Sequence, residues 1–324
     1  MKRSPPTAHI SAIRYAFAEE TRTVRELAAE GAVTSEAGVL EGFGFGSVHV
    51  GRRETPYELA LRAAGELMEE RGVDPESVGL LVYGGAPAVA FAPGGRPSLD
   101  DGVLTTTARF RYPATRLQYS LGLVNDSVLG VDSLACTTLF GAIRVARAIV
   151  ASEDVSRVLC VGAEFYPADA GREALYNCTS DAACALLVER GDGPNRIVAA
   201  EQVTKGYYWD CDASRDEVVA SYFPTAAHCI DRVLERAGWS PDDVRLVLPH
   251  NVSLRSWRIL LGLRPLPNAR LWCANIARRG HTLAGDNFIN LRDALDGGEV
   301  STGDPMLLFS YGYGAHWTAL AVEA

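Results

Sequence analysis

Val131-Asp132-Ser133-Leu134-Ala135-Cys136-Thr137-Thr138-Leu139-Phe140-Gly141 reads as an apolar strand running straight into a helix, with a cysteine at the junction. Upstream, Ser127–Ser133 has the length and apolar content of a buried strand. Downstream, Thr138–Ser152 carries apolar residues at helical spacing, and Arg157–Glu164 is again a short apolar run. Strand, helix, strand in that order is the unit from which parallel sheets are built.

The same alternation extends outward in both directions. In the first half the spacing predicts strands at His9–Phe17, Gly79–Gly84 and Ala182–Val188, with helices at Pro56–Arg71 and near Thr107–Leu121. In the second it predicts helices at Pro224–Ala237, Leu254–Leu261 and Ala284–Leu295. Strands are expected there at Val244–Pro249, Leu271–Ala274, Met306–Ser310 and Thr318–Val322. An α/β fold with mainly parallel strands follows, and the repeated order fits two copies of one unit, although no letter-level repeat is visible. Gly-Asp-Gly-Pro-Asn at 191–195 breaks the pattern and places the boundary, giving an N-terminal half over 1–192 and a C-terminal half over 193–324. One Pro/Gly/Asp-rich loop, 92–104, is longer than most connections and suits a lid or dimer arm.

Composition narrows the class. Of 324 residues, 48% are hydrophobic and 22% charged, as in a packed globular enzyme. The formal charge of −9 argues against nucleic acid as a partner. Positive charge is almost wholly arginine, since Lys2 and Lys205 are the only lysines, so an anionic partner would meet guanidinium groups. The seven cysteines show no CxxC spacing and several sit in apolar runs, which reads as buried reduced thiols. No apolar stretch follows Lys2 and Arg3 to make a secretory signal, and no apolar run of membrane length is expected, so the cytoplasm is the expected location. No His/carboxylate cluster has metal-ligand spacing, so no metal and no other cofactor is expected.

The chemistry centres on Cys136. At a helix start the macrodipole favours a negative charge on sulfur, and the free backbone N–H of the same residue can help hold an oxyanion. Two histidines occupy similar strand-end positions, in Leu248-Pro249-His250-Asn251 and Arg279-Gly280-His281-Thr282. Each alone is more often structural than catalytic. With Cys136 they form the nucleophile-plus-base set that acyl transfer requires, and reacting groups gather at the carboxyl ends of strands in such sheets.

These stretches resemble the β-ketoacyl-acyl-carrier-protein synthase III family. That family reads a Cys after a short small-residue strand, then Pro-His-(x)3-Leu-Arg, then Gly-Asn-Thr, then a Gly-rich strand pair with a Trp. The counterparts here are Ala135-Cys136, Pro249-His250 through Leu254-Arg255, Gly280-His281-Thr282, and Tyr311-Gly312-Tyr313-Gly314-Ala315-His316-Trp317. The resemblance spans roughly residues 50–324. It implies a thiolase-like αβαβα fold of two similar halves, a homodimer, and acyl groups delivered as coenzyme A or acyl-carrier-protein thioesters on their phosphopantetheine arm. It also implies that Arg255, with Arg258 three residues on, guides that arm, and that the backbone N–H of Tyr313, in place of the family's Gly, joins that of Cys136 in the oxyanion hole.

One departure bears on the reaction: the family's Asn is His281, and Asp286 follows five residues later. This is similar to the ketosynthase III-like acyltransferases of antibiotic and polyketide pathways, in which a Cys or Ser is served by a His there and an Asp just beyond. The resemblance therefore implies transfer of an acyl group from Cys136 to an alcohol, amine or carrier, with His281 as base, Asp286 orienting it and His250 assisting. Two alternatives stand beside it: a decarboxylating synthase using Cys136, His250 and His281, and a non-catalytic subunit shaping a partner's tunnel.

Overall fold

The structure, a computed structural model, describes residues 7–85, 112–123, 127–152, 155–166 and 170–324; the 92–104 loop lies outside these. The first half runs β1 (Ala8–Phe17), β2 (Glu20–Thr23), α1 (Val24–Ala29), α2 (Ala37–Gly42), β3 (Ser47–Val50), α3 (Pro56–Arg71) and β4 (Leu80–Gly85). It continues with α4 (Pro113–Ser120), β5 (Ser127–Val131), α5 (Thr138–Ser152), β6 (Arg157–Glu164), β7 (Glu173–Ala174), β8 (Asn177–Cys178) and β9 (Ala182–Arg190). The second half runs β10 (Arg196–Thr204), α6 (Arg215–Ala237), β11 (Leu246–Pro249), α7 (Leu254–Leu263), β12 (Arg270–Leu271), α8 (Ala274–Arg279), α9 (Asp286–Asp296), β13 (Pro305–Gly312) and β14 (His316–Glu323).

Ten strands hydrogen-bond in the order β12-β11-β13-β14-β10-β1-β9-β6-β4-β5. The order is symmetric about its middle. On one side β5, β4 and β6 are parallel, with β9 and β1 antiparallel. On the other β12, β11 and β13 are parallel, with β14 and β10 antiparallel. The two runs of five meet at a single β1–β10 pair, His9 opposite Arg196.

Alternation of side chains along the strands places five layers. Val158 and Cys160 of β6, and Cys184 and Leu186 of β9, face the same core as Leu139, Phe140 and Ile143 of α5 and Phe288, Ile289 and Leu291 of α9. Met306 and Leu308 of β13 and Leu320 of β14 enter that core from the other run. Their neighbours point the opposite way: Leu159, Val161, Ala183 and Ala185 pack on α3 and α4, while Leu307, Phe309, Ala319 and Ala321 pack on α6 and α7. Helix, sheet, paired helices, sheet, helix is the expected αβαβα arrangement. At its centre the Phe140 and Phe288 rings lie 5.2 Å apart.

Several expectations need correction. The helix expected from Pro224 begins nine residues earlier at Arg215 and carries Pro224 inside it. The strand β10 was not anticipated, and the strand expected over Leu271–Ala274 is only Arg270–Leu271 before α8 begins. Where no apolar run of membrane length was expected, Ala135–Ser152 has that length and hydropathy; half of this window is buried, because α5 lies between two sheets. Cys136 does not start the α-helix: it sits in a 3-10 turn, Ala135–Thr137, and α5 begins at Thr138.

Candidate active site

The two central helices bring the site together. A 3-10 turn precedes each, Ala135–Thr137 before α5 and Leu283–Gly285 before α9, so the chain enters both helices through tight corners. The first corner is strained: Ser133 and Ala135 hold φ of 61° and 46° without being glycine, a conformation worth roughly 1–2 kcal/mol each against an L residue. Thr137 and Thr138 hold it by donating their hydroxyls back to the Leu134 and Ala135 carbonyls, both at 2.7 Å. At the end of β13, Ser310 Oγ donates to Cys136 O at 3.2 Å. A Cβ on Gly312 would stand 2.2 Å from the Leu134 carbonyl oxygen, so only glycine lets β13 come this close.

The corner aims Cys136 Sγ at His281 Nε2, 3.3 Å away. The other nitrogen of His281, Nδ1, donates to Asp286 Oδ2 at 2.5 Å. Asp286 is fully buried and accepts three further hydrogen bonds, from Asn251 N–H at 2.6 Å and from Thr282 N–H and Oγ at 2.6 and 2.7 Å. With its four hydrogen bonds the carboxylate fixes the His281 tautomer, Nδ1 carrying the proton. Burial opposes a charge on His281, but the Asp286 carboxylate, the Cys136 sulfur and its hydrogen bonds to both outweigh it and hold the imidazole pKa well above its ordinary value.

His250 lies at the end of β11, its ring centroid 6.2 Å from that of His281. It is 1% exposed, its Nδ1 has no partner among the described residues, and burial followed by the nearby His281 charge pushes its pKa down to about 3. His250 is therefore neutral at any physiological pH. Cys136, His250, His281 and Tyr313 line one cavity of about 470 Å³, joined by Tyr166 and Tyr311. Among the described residues neither the Cys136 nor the Tyr313 backbone N–H donates to another group, which leaves both for a ligand oxygen.

Arg255 and Arg258 stand apart from this cavity, exposed on the outer face of α7 and without a hydrogen bond or ion pair among the described residues. They are three and six residues from Val252, which lines the cavity. The sequence reading overlooked Asn251 and Thr282, which clamp Asp286, and Glu164 at the end of β6. Glu164 is buried, and burial raises its pKa to about 7 against the lowering pull of His281. Asn251 lies 35 residues from Asp286 and nothing local marks it, whereas Thr282 is only four residues from the carboxylate it bonds, a spacing that could have pointed to it. No group of three or more His, Cys, Asp or Glu among the described residues has the arrangement to hold a metal ion.

The family model for 3-oxoacyl-(acyl-carrier-protein) synthase III matches residues 132–206, and that for its C-terminal region matches 234–324, together more than half of the chain. The chain belongs to the 3-oxoacyl-(acyl-carrier-protein) synthase III family. It is 26% identical over 303 residues to the β-ketoacyl-(acyl-carrier-protein) synthase III of Aquifex aeolicus, covering 90% of this chain and 91% of that one. The solved 3-oxoacyl-(acyl-carrier-protein) synthase III from Aquifex aeolicus superimposes with a TM-score of 0.80 at 22% identity, over 98% of this chain and all of that one. The solved structure of ChlB3, described as an acyltransferase, superimposes with a TM-score of 0.82 at 19% identity, over 98% of each chain. Synthase III membership makes this protein a ketosynthase III-type transferase with the thiolase fold.

Proposed function

We propose that this synthase III homologue is an acyltransferase that loads an acyl group from a coenzyme A or carrier-protein thioester onto Cys136 and passes it to an alcohol, amine or carrier. The observation that carries this reading is the His281–Asp286 hydrogen bond behind Cys136. Cys136 Sγ, its proton held on His281 Nε2, attacks the thioester carbonyl. The oxygen gains the electron pair and sits between the Cys136 and Tyr313 N–H groups. Collapse breaks the donor's C–S bond, and the leaving thiolate takes the proton from His281. The acceptor then gives its proton to His281 as it attacks the acyl-cysteine, and the second collapse returns Cys136. Asp286 stabilises the imidazolium in both halves. Arg255 and Arg258 suit the phosphates of the donor's arm.

Incubation of the protein with acetyl-, malonyl- and octanoyl-CoA and the matching carrier-protein thioesters, followed by intact-protein mass spectrometry, tests the reading. An acyl adduct lost in Cys136→Ala is expected. Absence of an adduct from every donor overturns it. A second reading, decarboxylative condensation, is favoured by the names of the curated relatives and by neutral His250 on the cavity wall. Release of carbon dioxide from a malonyl thioester would support that reading instead. We also propose a homodimer, because β5 ends the ten-stranded sheet and exposes Leu129 at 41%. Light scattering that finds only monomer refutes it.

A further inference from the structure

The turn that carries the Tyr313 N–H is held by a segment that takes no part in the triad, although its Asp212 reaches the cavity wall. Residues 204–214 run along this turn and fasten it at successive points. Thr204 Oγ1 and His316 Nδ1 share a hydrogen bond at 3.0 Å, and Lys205 N–H donates to Ala315 O at 3.0 Å. Gly314 N–H donates to Cys211 Sγ at 3.2 Å, and the Tyr313 hydroxyl donates to Asp212 Oδ1 at 2.6 Å. Cys211 is in turn tied down, its thiol donating to Tyr208 O at 3.3 Å. Such holding is needed, since Gly314 and Ala315 adopt φ of 93° and 64°, and the alanine has no intrinsic preference for that region. The Tyr313–Asp212 bond lies at exposed residues, so it fastens the turn together with the other contacts rather than by its own strength.

We propose that Asp212 and Cys211 are positioning residues for the oxyanion donor: through the Tyr313 hydroxyl and the Gly314 N–H they hold the Tyr313 N–H where the oxygen of the tetrahedral intermediate forms beside Cys136. The proposal rests on the acyl-thioester reading above. It gives the tyrosine at 313 a role that glycine there could not have, because glycine has no side chain for Asp212 to grip. An oxyanion donor acts only within a narrow distance, and a displacement of about 1 Å costs on the order of 100-fold in rate.

The test measures three things on the full chain: the single-turnover rate of Cys136 loading from the acyl-CoA panel, alkylation of Cys136 by iodoacetamide, and amide hydrogen exchange of a peptide covering residues 311–316. Asp212→Ala is expected to slow loading by about 10- to 100-fold. Its alkylation rate should stay within about twofold of the parent's, because alkylation builds no oxyanion. Exchange at Gly314, whose N–H is held by Cys211 Sγ, should rise. Asp212→Asn, whose amide oxygen still accepts, should load within about threefold of the parent. Tyr313→Phe should match Asp212→Ala, and the double variant should be no slower than either single one, as for two residues acting through one bond. Cys211→Ala should raise exchange and slow loading, with Cys211→Ser restoring both. If Asp212→Ala does not fold, Tyr313→Phe carries the same expectation. Loading by both Asp212→Ala and Tyr313→Phe at the parent rate overturns the proposal, as do additive effects in the double variant or unchanged exchange. If the parent accepts no acyl donor, the proposed function fails separately, and unchanged exchange in Asp212→Ala would still overturn the claim that this segment fixes the turn.

Discussion

Replacing Asp286 with Asn removes one charge and keeps the shape, which makes it the sharpest perturbation of the site. Asp286 accepts four hydrogen bonds, two on each oxygen: His281 and the Asn251 N–H on Oδ2, the Thr282 N–H and hydroxyl on Oδ1. Asparagine has one oxygen and one NH2, so either amide orientation turns a donor toward two donors in a fully buried site. Two buried groups left unsatisfied cost roughly 2–6 kcal/mol of stability. The kinetic loss is separate: without the carboxylate the imidazolium is no longer stabilised and the tautomer is no longer fixed. Loss of the acid of a triad costs about 10,000-fold, or about 5.5 kcal/mol of barrier. Single-turnover acyl transfer, read beside a thermal melt, separates the two effects. A folded Asp286→Asn enzyme that transfers acyl groups as fast as its parent would refute the assignment of Cys136, His281 and Asp286 as one unit.

Three further outcomes are expected. His250→Ala should slow acyl transfer less than His281→Ala, on the order of one oxyanion donor's ~3 kcal/mol, whereas a condensing enzyme would lose carbon–carbon bond formation with either; comparing the two variants on both reactions checks this. Glu164 holds its proton to about pH 7 in the folded chain but only to its ordinary value when unfolded, so between about pH 4.5 and 7 the folded state binds more protons and stability falls as pH rises. Glu164→Gln should remove that slope and stabilise the protein above pH 7 by about 3 kcal/mol, measured by urea unfolding at pH 5 and 8; identical slopes in variant and parent would contradict it. Gly312→Ala must push the Leu134 carbonyl away, and loading of Cys136 should fall at least about tenfold with a stability loss of about 1–3 kcal/mol, checked by mass spectrometry and a melt.

Residues 56–71 and 138–152 were read from sequence with their observed bounds because their signals are local. Thr55, Pro56 and Glu58 form a capping box with a proline at the first turn, and Gly72 ends the helix in the left-handed region. The strand β10 carries no clean alternation in sequence, because a register shift between Ile197 and Ala199 turns the first toward the central core and the second toward the outer one, and Glu201 is buried beyond them. Pro224 reads in sequence as a helix start, yet a 23-residue helix that packs on a sheet tolerates the one hydrogen bond proline removes. In the site, Cys136, His281 and Asp286 were legible because two of them are five residues apart and the third sits at a recognisable strand–helix junction. Asn251 lies 35 residues from Asp286, and Asp212 lies 101 residues from Tyr313; contacts made only by folding leave no mark in the local pattern.

Cys136 and His281 are separated by 145 positions, each delivered by its own central helix. During synthesis the sulfur therefore leaves the ribosome long before the imidazole that lies 3.3 Å from it in the folded chain, and a chain whose second half has not yet docked carries Cys136 without His281. On the proposed function, Cys136 meets an acyl donor with its imidazole in place only on molecules whose two runs of strands have closed around α5 and α9.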